Sequence, residues 1–204
     1  MLQSLDGKID SIINDEKIFA VILKKKEEFS RKGRAGNTEK FSELTFCTLT
    51  ANTSAEMGLR CQEALGRLHR FDEASLRNAL VKCHYRFPNT RSRFIAMNYE
   101  NRNSLEEILK SKDRRNLLIE RYMGIGMKEA SHFLRNIGYF NYPILDKHIQ
   151  KFLSSYFRKN IQIKSKKDYE REEKLFLLIS TKYGLEPGIM DLVIWYLMTG
   201  KVLK

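Results

Sequence analysis

Residues 123–149, MGIGMKEASHFLRNIGYFNYPILDKHI, decide how the chain folds. They hold a Gly-Ile-Gly turn (Gly124, Ile125, Gly126) between two amphipathic patterns. Before the turn, Leu117, Leu118, Ile119 and Tyr122 recur at helical spacing, and after it Ala130, Phe133, Leu134 and Ile137 do the same. The pattern predicts two helices, over residues 114–122 and 127–137, joined as a hairpin. Gly138 supplies a C-terminal stop. A loop containing Pro143 follows, and Asp146 stands at the N-cap of a third helix through Ile149, Phe152 and Leu153.

The residue types at this turn point to an anion. Glycines let the backbone turn sharply and leave its amides uncovered. The helix that follows aims its unpaired N–H groups and positive dipole end at the same place, which suits a phosphate. Lys128 lies in that helix's first turn, where the dipole disfavours an ammonium, and an uncharged amine is a nucleophile. Asp146 can be both a cap and a reacting carboxylate. The helix rises on the order of 15 Å from Lys128 to Gly138. The eight residues after Ile137, up to Leu145, span about 25 Å when extended, so the chain can return Asp146 to the lysine end. Taken singly, the turn is an ordinary helix connection, Lys128 a solvated lysine and Asp146 a cap.

Composition narrows the partner. The 204 residues carry a formal net charge of +12, which raises the expectation of a polyanion such as nucleic acid. With 42% hydrophobic residues the chain has the makings of a real core. No apolar run approaches the roughly 20 residues of a membrane span, and MLQSLDGKIDSI lacks the layout of a signal peptide. The expected location is therefore intracellular. Three scattered cysteines, Cys47, Cys61 and Cys83, predict neither a disulfide framework nor a metal cluster, and the four histidines form no ligand pair.

The rest of the chain reads as helical. Ile9, Ile12, Ile13, Phe19, Ile22 and Phe29 predict one or two amphipathic helices. Residues 31–38, RKGRAGNT, read as a linker. Phe41, Leu44, Phe46, Cys47 and Leu49 predict a buried helix, broken at residues 50–54 before another runs on through Leu65 and Leu68. A further helix spans residues 71–82. In residues 83–95, CHYRFPNTRSRFI, Tyr85, Phe87 and Phe94 alternate with Arg86, Arg91 and Arg93 around a Pro88-Asn89 turn. That arrangement suits a wedge entering a base stack with cations on phosphates; it suits equally a loop whose aromatics fill a core. Ser104 and Glu107 are spaced as a capping box. Residues 158–174 are strongly charged, and residues 190–198 form a last apolar helix carrying the only tryptophan, Trp195. The fold class is all-α.

Gly124, Gly126, Lys128 and then Leu145-Asp146-Lys147-His148-Ile149, with 18 residues from lysine to aspartate, resemble the signature of the helix–hairpin–helix DNA glycosylase superfamily. Within it, FCTLTANTSAEMG, YRFPNTRSRFI and DLVIWYLMTGKVLK resemble the archaeal-type 8-oxoguanine DNA glycosylase/AP lyases, the second group of such enzymes. The resemblance implies two helical lobes with the active site in the cleft between them. The expected lobes are residues 33–140, and 1–32 with 141–204. It implies that Lys128 attacks the sugar of a flipped 8-oxoguanine nucleotide, that Asp146 deprotonates the lysine or stabilises the oxocarbenium, and that elimination nicks the strand.

The other implied roles are base recognition by Trp195, Asp191 and the terminal Lys204, phosphate binding by Gly124, Ile125 and Gly126, and DNA contacts by Arg86, Phe87 and Arg91. Arg86 and Phe87 resemble the family's contacts with the estranged opposite base. No metal or other cofactor is implied; the expected partner is duplex DNA containing 8-oxoguanine, bound by a monomer. A glycosylase for another lesion, or a non-catalytic hairpin module that binds DNA, shares the turn and the charge.

Overall fold

The computed structural model describes residues 4–203, and among them there is no β-strand. Helix α1 (Leu5–Ile13) starts at Ser4, whose hydroxyl accepts from the Gly7 N–H. There follow α2 (Glu16–Arg34), α3 (Asn37–Thr50), α4 (Ala55–Gly66), α5 (Glu73–Lys82) and α6 (Pro88–Glu100). A 3-10 turn, Arg102–Ser104, leads into α7 (Leu105–Lys110), then α8 (Arg114–Arg121) and α9 (Met127–Asn136). The last three are α10 (Lys147–Tyr156), α11 (Lys166–Lys182) and α12 (Pro187–Thr199). Among the described residues no helix is long and apolar enough to cross a membrane.

The chain divides into two compact units. One joins the residues up to Arg31 to those from Leu134 onward; the other is Lys32–Phe133. The boundaries fall inside α2 and inside α9, so the second hairpin helix contributes to both. In the first unit Ile9, Ile22, Phe29, Phe152, Phe176 and Val193 are among the residues sealed from solvent. In the second, Leu49, Cys61, Leu65, Leu76, Leu80, Tyr85 and Ile95 form one buried cluster.

Helix ends are set by specific chemistry. Asp72 caps α5, Ser54 caps α4, and Ser165 with Asp168 forms a reciprocal capping box on α11. Four helices end in a left-handed residue followed by an N–H that bonds back to the carbonyl five residues earlier. Glycine supplies that residue after α9 (Gly138, φ 91°) and α11 (Gly184, φ 62°), but His84 (φ 55°) and Arg158 (φ 50°) do so after α5 and α10. Both reverse the chain where its next segment matters.

Two sequence expectations need correction. Residues 31–38 are not a linker: α2 runs through Gly33 to Arg34 and α3 resumes at Asn37. Lys32 is ion-paired there with Glu43, which is itself buried, and this tertiary tie outweighs the helix penalty of one glycine, roughly 1 kcal/mol. Ser104 and Glu107 form no capping box. The Ser104 hydroxyl instead donates to the Asn101 carbonyl, because the preceding 3-10 turn already occupies the helix entry.

Candidate active site

The hairpin belongs to the Lys32–Phe133 unit, and a neighbouring helix fixes its shape. Asn98 of α6, buried, grips the backbone of Met123 at two points. Its Oδ1 accepts from the Met123 N–H at 2.7 Å, and its Nδ2 donates to the Met123 carbonyl at 3.0 Å. Tyr122, also buried, donates its hydroxyl to the Asn101 carbonyl at 3.1 Å. Gly124 follows at φ 75°, with the Phe94 ring so close that an added Cβ would lie 2.6 Å from it. Only glycine combines that dihedral with that contact. Ile125 between the two glycines is buried, 5% exposed, and anchors the turn in the core.

At the start of α9 one carboxylate serves two neighbours. Glu129 Oε2 accepts from the Gly126 N–H at 3.3 Å, as an N3 glutamate does in a capping box. Its Oε1 lies 3.0 Å from Lys128 Nζ. The lysine is one-third exposed while Glu129 is mostly covered, so the amine is tethered but reachable. His132, one turn further along, is buried edge-on against Phe46.

The other unit carries the carboxylate. After α9 stops at Gly138, residues 139–145 are fastened at several points. The Phe140 carbonyl accepts from the Gly188 N–H at 2.6 Å. Tyr169 donates its hydroxyl to the Pro143 carbonyl at 2.8 Å and accepts from the Leu145 N–H at 3.1 Å. The Ile144 N–H donates to Asp191 Oδ2 at 3.1 Å, while Asp191 Oδ1 accepts from Arg135 at 3.0 Å. Burial pushes the Asp191 carboxyl up to about 7, against the pull of the Arg135 guanidinium and the Ile144 amide.

This frame delivers Asp146. Its Oδ1 caps α10 by accepting from the Ile149 N–H at 2.9 Å, and its Oδ2 accepts from Trp195 Nε1 at 3.3 Å. The Trp195 ring, half-buried, also meets the His148 ring edge-on at 6.2 Å. Trp195 and Asp191 are one turn apart on α12, so that helix steadies the loop through one residue and orients Asp146 through the other.

The remaining predicted residues divide. Arg86 is exposed and stacks over the Phe87 ring, 4.9 Å from its centroid, immediately before Pro88 opens α6. The reversal at His84 presents this pair at the surface. Arg91, by contrast, is buried and donates to the Ala51 carbonyl at 3.2 Å. Asp191 is enclosed as described. Lys204 lies outside the described residues. Asn98, Glu129 and Arg135 escaped the sequence reading. A glutamate at N3 was a readable signal; Asn98 and Arg135 act across 25 and 56 positions and left none.

Comparison with known proteins agrees with this geometry. The family model for 8-oxoguanine DNA glycosylase (Ogg-HhH) matches residues 22–185. The chain is 46% identical to an 8-oxoguanine DNA glycosylase/AP lyase of Thermoplasma acidophilum over 94% of its own length and 96% of the relative's. It is 44% identical to one of Picrophilus torridus, covering 96% of each. The solved Methanocaldococcus jannaschii 8-oxoguanine glycosylase/lyase, in complex with a 15mer DNA containing 8-oxoguanine, superposes with a TM-score of 0.90 at 35% identity, covering 97% of this chain and 98% of that one. An all-helical chain with this hairpin and these relatives belongs to the 8-oxoguanine DNA glycosylase family.

Proposed function

We propose that the protein excises 8-oxoguanine from duplex DNA and nicks the strand through a lysine Schiff base. The observation that carries this reading is Lys128: a reachable amine in the first turn of α9, two residues past the hairpin's second glycine, in a chain of this family. The start of α9 holds a backbone phosphate once the Glu129 carboxylate gives up the Gly126 N–H, and the damaged nucleotide swings out of the stack. Lys128 Nζ must first leave Glu129 and lose its proton. Its lone pair then bonds to the sugar C1′ as the C1′–N9 bond breaks, and the base departs with that electron pair and gains a proton. Ring opening gives an iminium. Loss of a C2′ proton expels the 3′ phosphate, and water releases the lysine.

Asp146 is assigned an electrostatic role. Both of its oxygens already accept from N–H donors, which fixes a negative charge in one orientation. A preorganised charge of this kind suits the positive sugar that develops as the base leaves. Arg86 and Phe87 are assigned to the gap opposite the flipped nucleotide, and Trp195 to the base as well as to Asp146. Asp191 and Arg91 are assigned to fastening the scaffold. The chemistry runs on side chains without a cofactor and is assigned to an intracellular monomer.

Borohydride trapping tests the reading on duplexes carrying 8-oxoguanine opposite cytosine, an abasic site, or no damage. A covalent band is expected on the first two with the intact protein and on none with Lys128→Gln. Asp146→Asn should lose the band on 8-oxoguanine but keep it on the abasic aldehyde, where no oxocarbenium forms. Loss on both substrates would make Asp146 the base that deprotonates Lys128. Trapping on the abasic site alone by the intact protein would point to a different lesion, and binding without trapping would reduce the protein to a DNA-binding module.

A further inference from the structure

Residues 147–167, KHIQKFLSSYFRKNIQIKSKK, hold seven lysines and arginines and no acidic residue, seven of the chain's twelve net positive charges in 21 positions. The structure gathers several of them along α10. Arg158, left-handed at the end of that helix, reverses the chain, and the Lys159 N–H closes back on the Ser154 carbonyl at 3.0 Å. The next residues run back along the helix. The Ile161 N–H donates to Ser154 Oγ and the Ile163 N–H to Gln150 Oε1, each at 3.1 Å, with Ile161 buried beneath. Ser154 and Gln150 share a helical stripe with Lys151 and Lys147. The returning strap therefore brings Lys164 and Lys167 level with the start of α10, where Asp146 sits.

Two acidic groups nearby, Glu172 and Asp168, are engaged elsewhere. Glu172 pairs with Arg171 at 2.7 Å and with Lys159 at 3.5 Å, and Asp168 closes the capping box and pairs with Arg171 at 3.0 Å. Lys147, Lys151, Arg158, Lys164 and Lys167 are exposed and make no ion pair among the described residues. A fixed row of cations without counter-charges attracts a polyanion held alongside it.

We infer that the strap and α10 form a second DNA-backbone surface, separate from the hairpin, which grips the phosphates flanking the damaged nucleotide. The inference rests on the reading of this chain as an enzyme of duplex DNA. The ten residues of α10 rise about 15 Å, which at roughly 3.4 Å per nucleotide matches four or five phosphates of one strand. The grip is electrostatic and indifferent to sequence, and it holds the duplex beside Asp146.

The test measures affinity against salt for Lys164→Gln/Lys167→Gln, with Lys17→Gln/Lys24→Gln on α2 as a charge-matched control. The probes are undamaged and abasic-analogue duplexes, either long or truncated near the lesion on one side or the other. Removing one cation from a phosphate lowers the slope of log K against log salt by about 0.9, so the strap variant should be flatter by nearly 2 and bind roughly tenfold or more weakly in low salt. The difference should vanish on the duplex truncated on one side only. A slope equal to that of the unaltered protein, or an equal flattening in the α2 control, overturns the inference. Failure of the unaltered protein to release 8-oxoguanine would instead strike the enzymatic reading, because this comparison uses no excision step.

Discussion

Replacing Gly124 by alanine should damage the hairpin far more than the same change at Gly126. The two glycines look equivalent in the sequence but are not in the structure. Gly124 sits at φ 75°, a conformation that costs a residue with a Cβ about 1–2 kcal/mol. Its Cβ would also lie 2.6 Å from Cδ2 and 3.0 Å from Cε2 of the Phe94 ring. Phe94 stands in α6 one turn before Asn98, which grips the hairpin, so the ring cannot move without disturbing that grip. Overpacking of this kind costs about 1–3 kcal/mol. Together they predict a loss of about 2–5 kcal/mol, a large part of a typical domain's stability. At Gly126 the nearest atom to a new Cβ is Glu129 Oε2 at 3.2 Å, the mobile end of a side chain, and the expected loss is under about 1 kcal/mol.

Urea unfolding of the two variants gives the comparison directly. A double-mutant cycle isolates the contact: Phe94→Leu, harmful by itself, should recover at least about 1 kcal/mol when combined with Gly124→Ala, because it makes room for the new methyl. Duplex affinity should fall in parallel for Gly124→Ala, since the turn that carries the amides no longer closes on Phe94. Equal stability of the two alanine variants, or a cycle with no coupling, would refute the reasoning.

Trp195→Phe keeps a ring on α12 but removes the N–H that Asp146 Oδ2 accepts. A hydrogen bond to a charged group contributes about 1.5–3 kcal/mol, so single-turnover excision of 8-oxoguanine should slow by about ten- to a hundredfold, with a smaller effect on nicking at a preformed abasic site. Asp191→Leu leaves Arg135 and the Ile144 N–H buried without their acceptor, and denaturant titration should register a loss of about 3–5 kcal/mol. Asp6 accepts from Lys182, Tyr156 and Tyr183, and these partners, Lys182 foremost, hold its carboxyl down at about 2. A depressed carboxylate stabilises the fold above its unfolded value near 4 and stops doing so as the pH falls through 2. The difference in melting temperature between the protein and Asp6→Asn should therefore be steady above pH 5 and shrink between pH 4 and 2; a difference independent of pH would count against the cluster.

Local signals were legible in the sequence and distant ones were not. The apolar spacing of α8, α9 and α10 and the caps at Asp146 and Gly138 each depend on residues within about one turn of one another, so a linear reading finds them. The continuation of α2 through Gly33 depends on Lys32 meeting Glu43 across 11 positions, and nothing near Gly33 announces it. The left-handed stops at His84 and Arg158 were equally hidden, because glycine is the usual marker of that conformation and neither residue is one. The charged stretch 158–174 reads as a solvent-facing loop and a helix start, and nothing in it announces that Arg158 folds the loop back along α10.

The same division runs through the site and bears on how it works. Lys128 and the two glycines could be read from their positions on the hairpin. Asp146 could be read as a cap, but a cap uses only one oxygen. The second oxygen is held by Trp195, 49 positions away, and Trp195 is carried by the helix whose Asp191 fastens the loop leading into Asp146. A carboxylate on a loop with one bond could rotate about that bond. With two N–H donors on different helices it has a single orientation, and its charge is fixed before any substrate arrives. That is the condition under which a charge lowers a barrier without the cost of reorganising. Loosening either anchor should therefore slow base loss, whereas the lysine's reaction with an aldehyde, which passes through no sugar cation, should tolerate it.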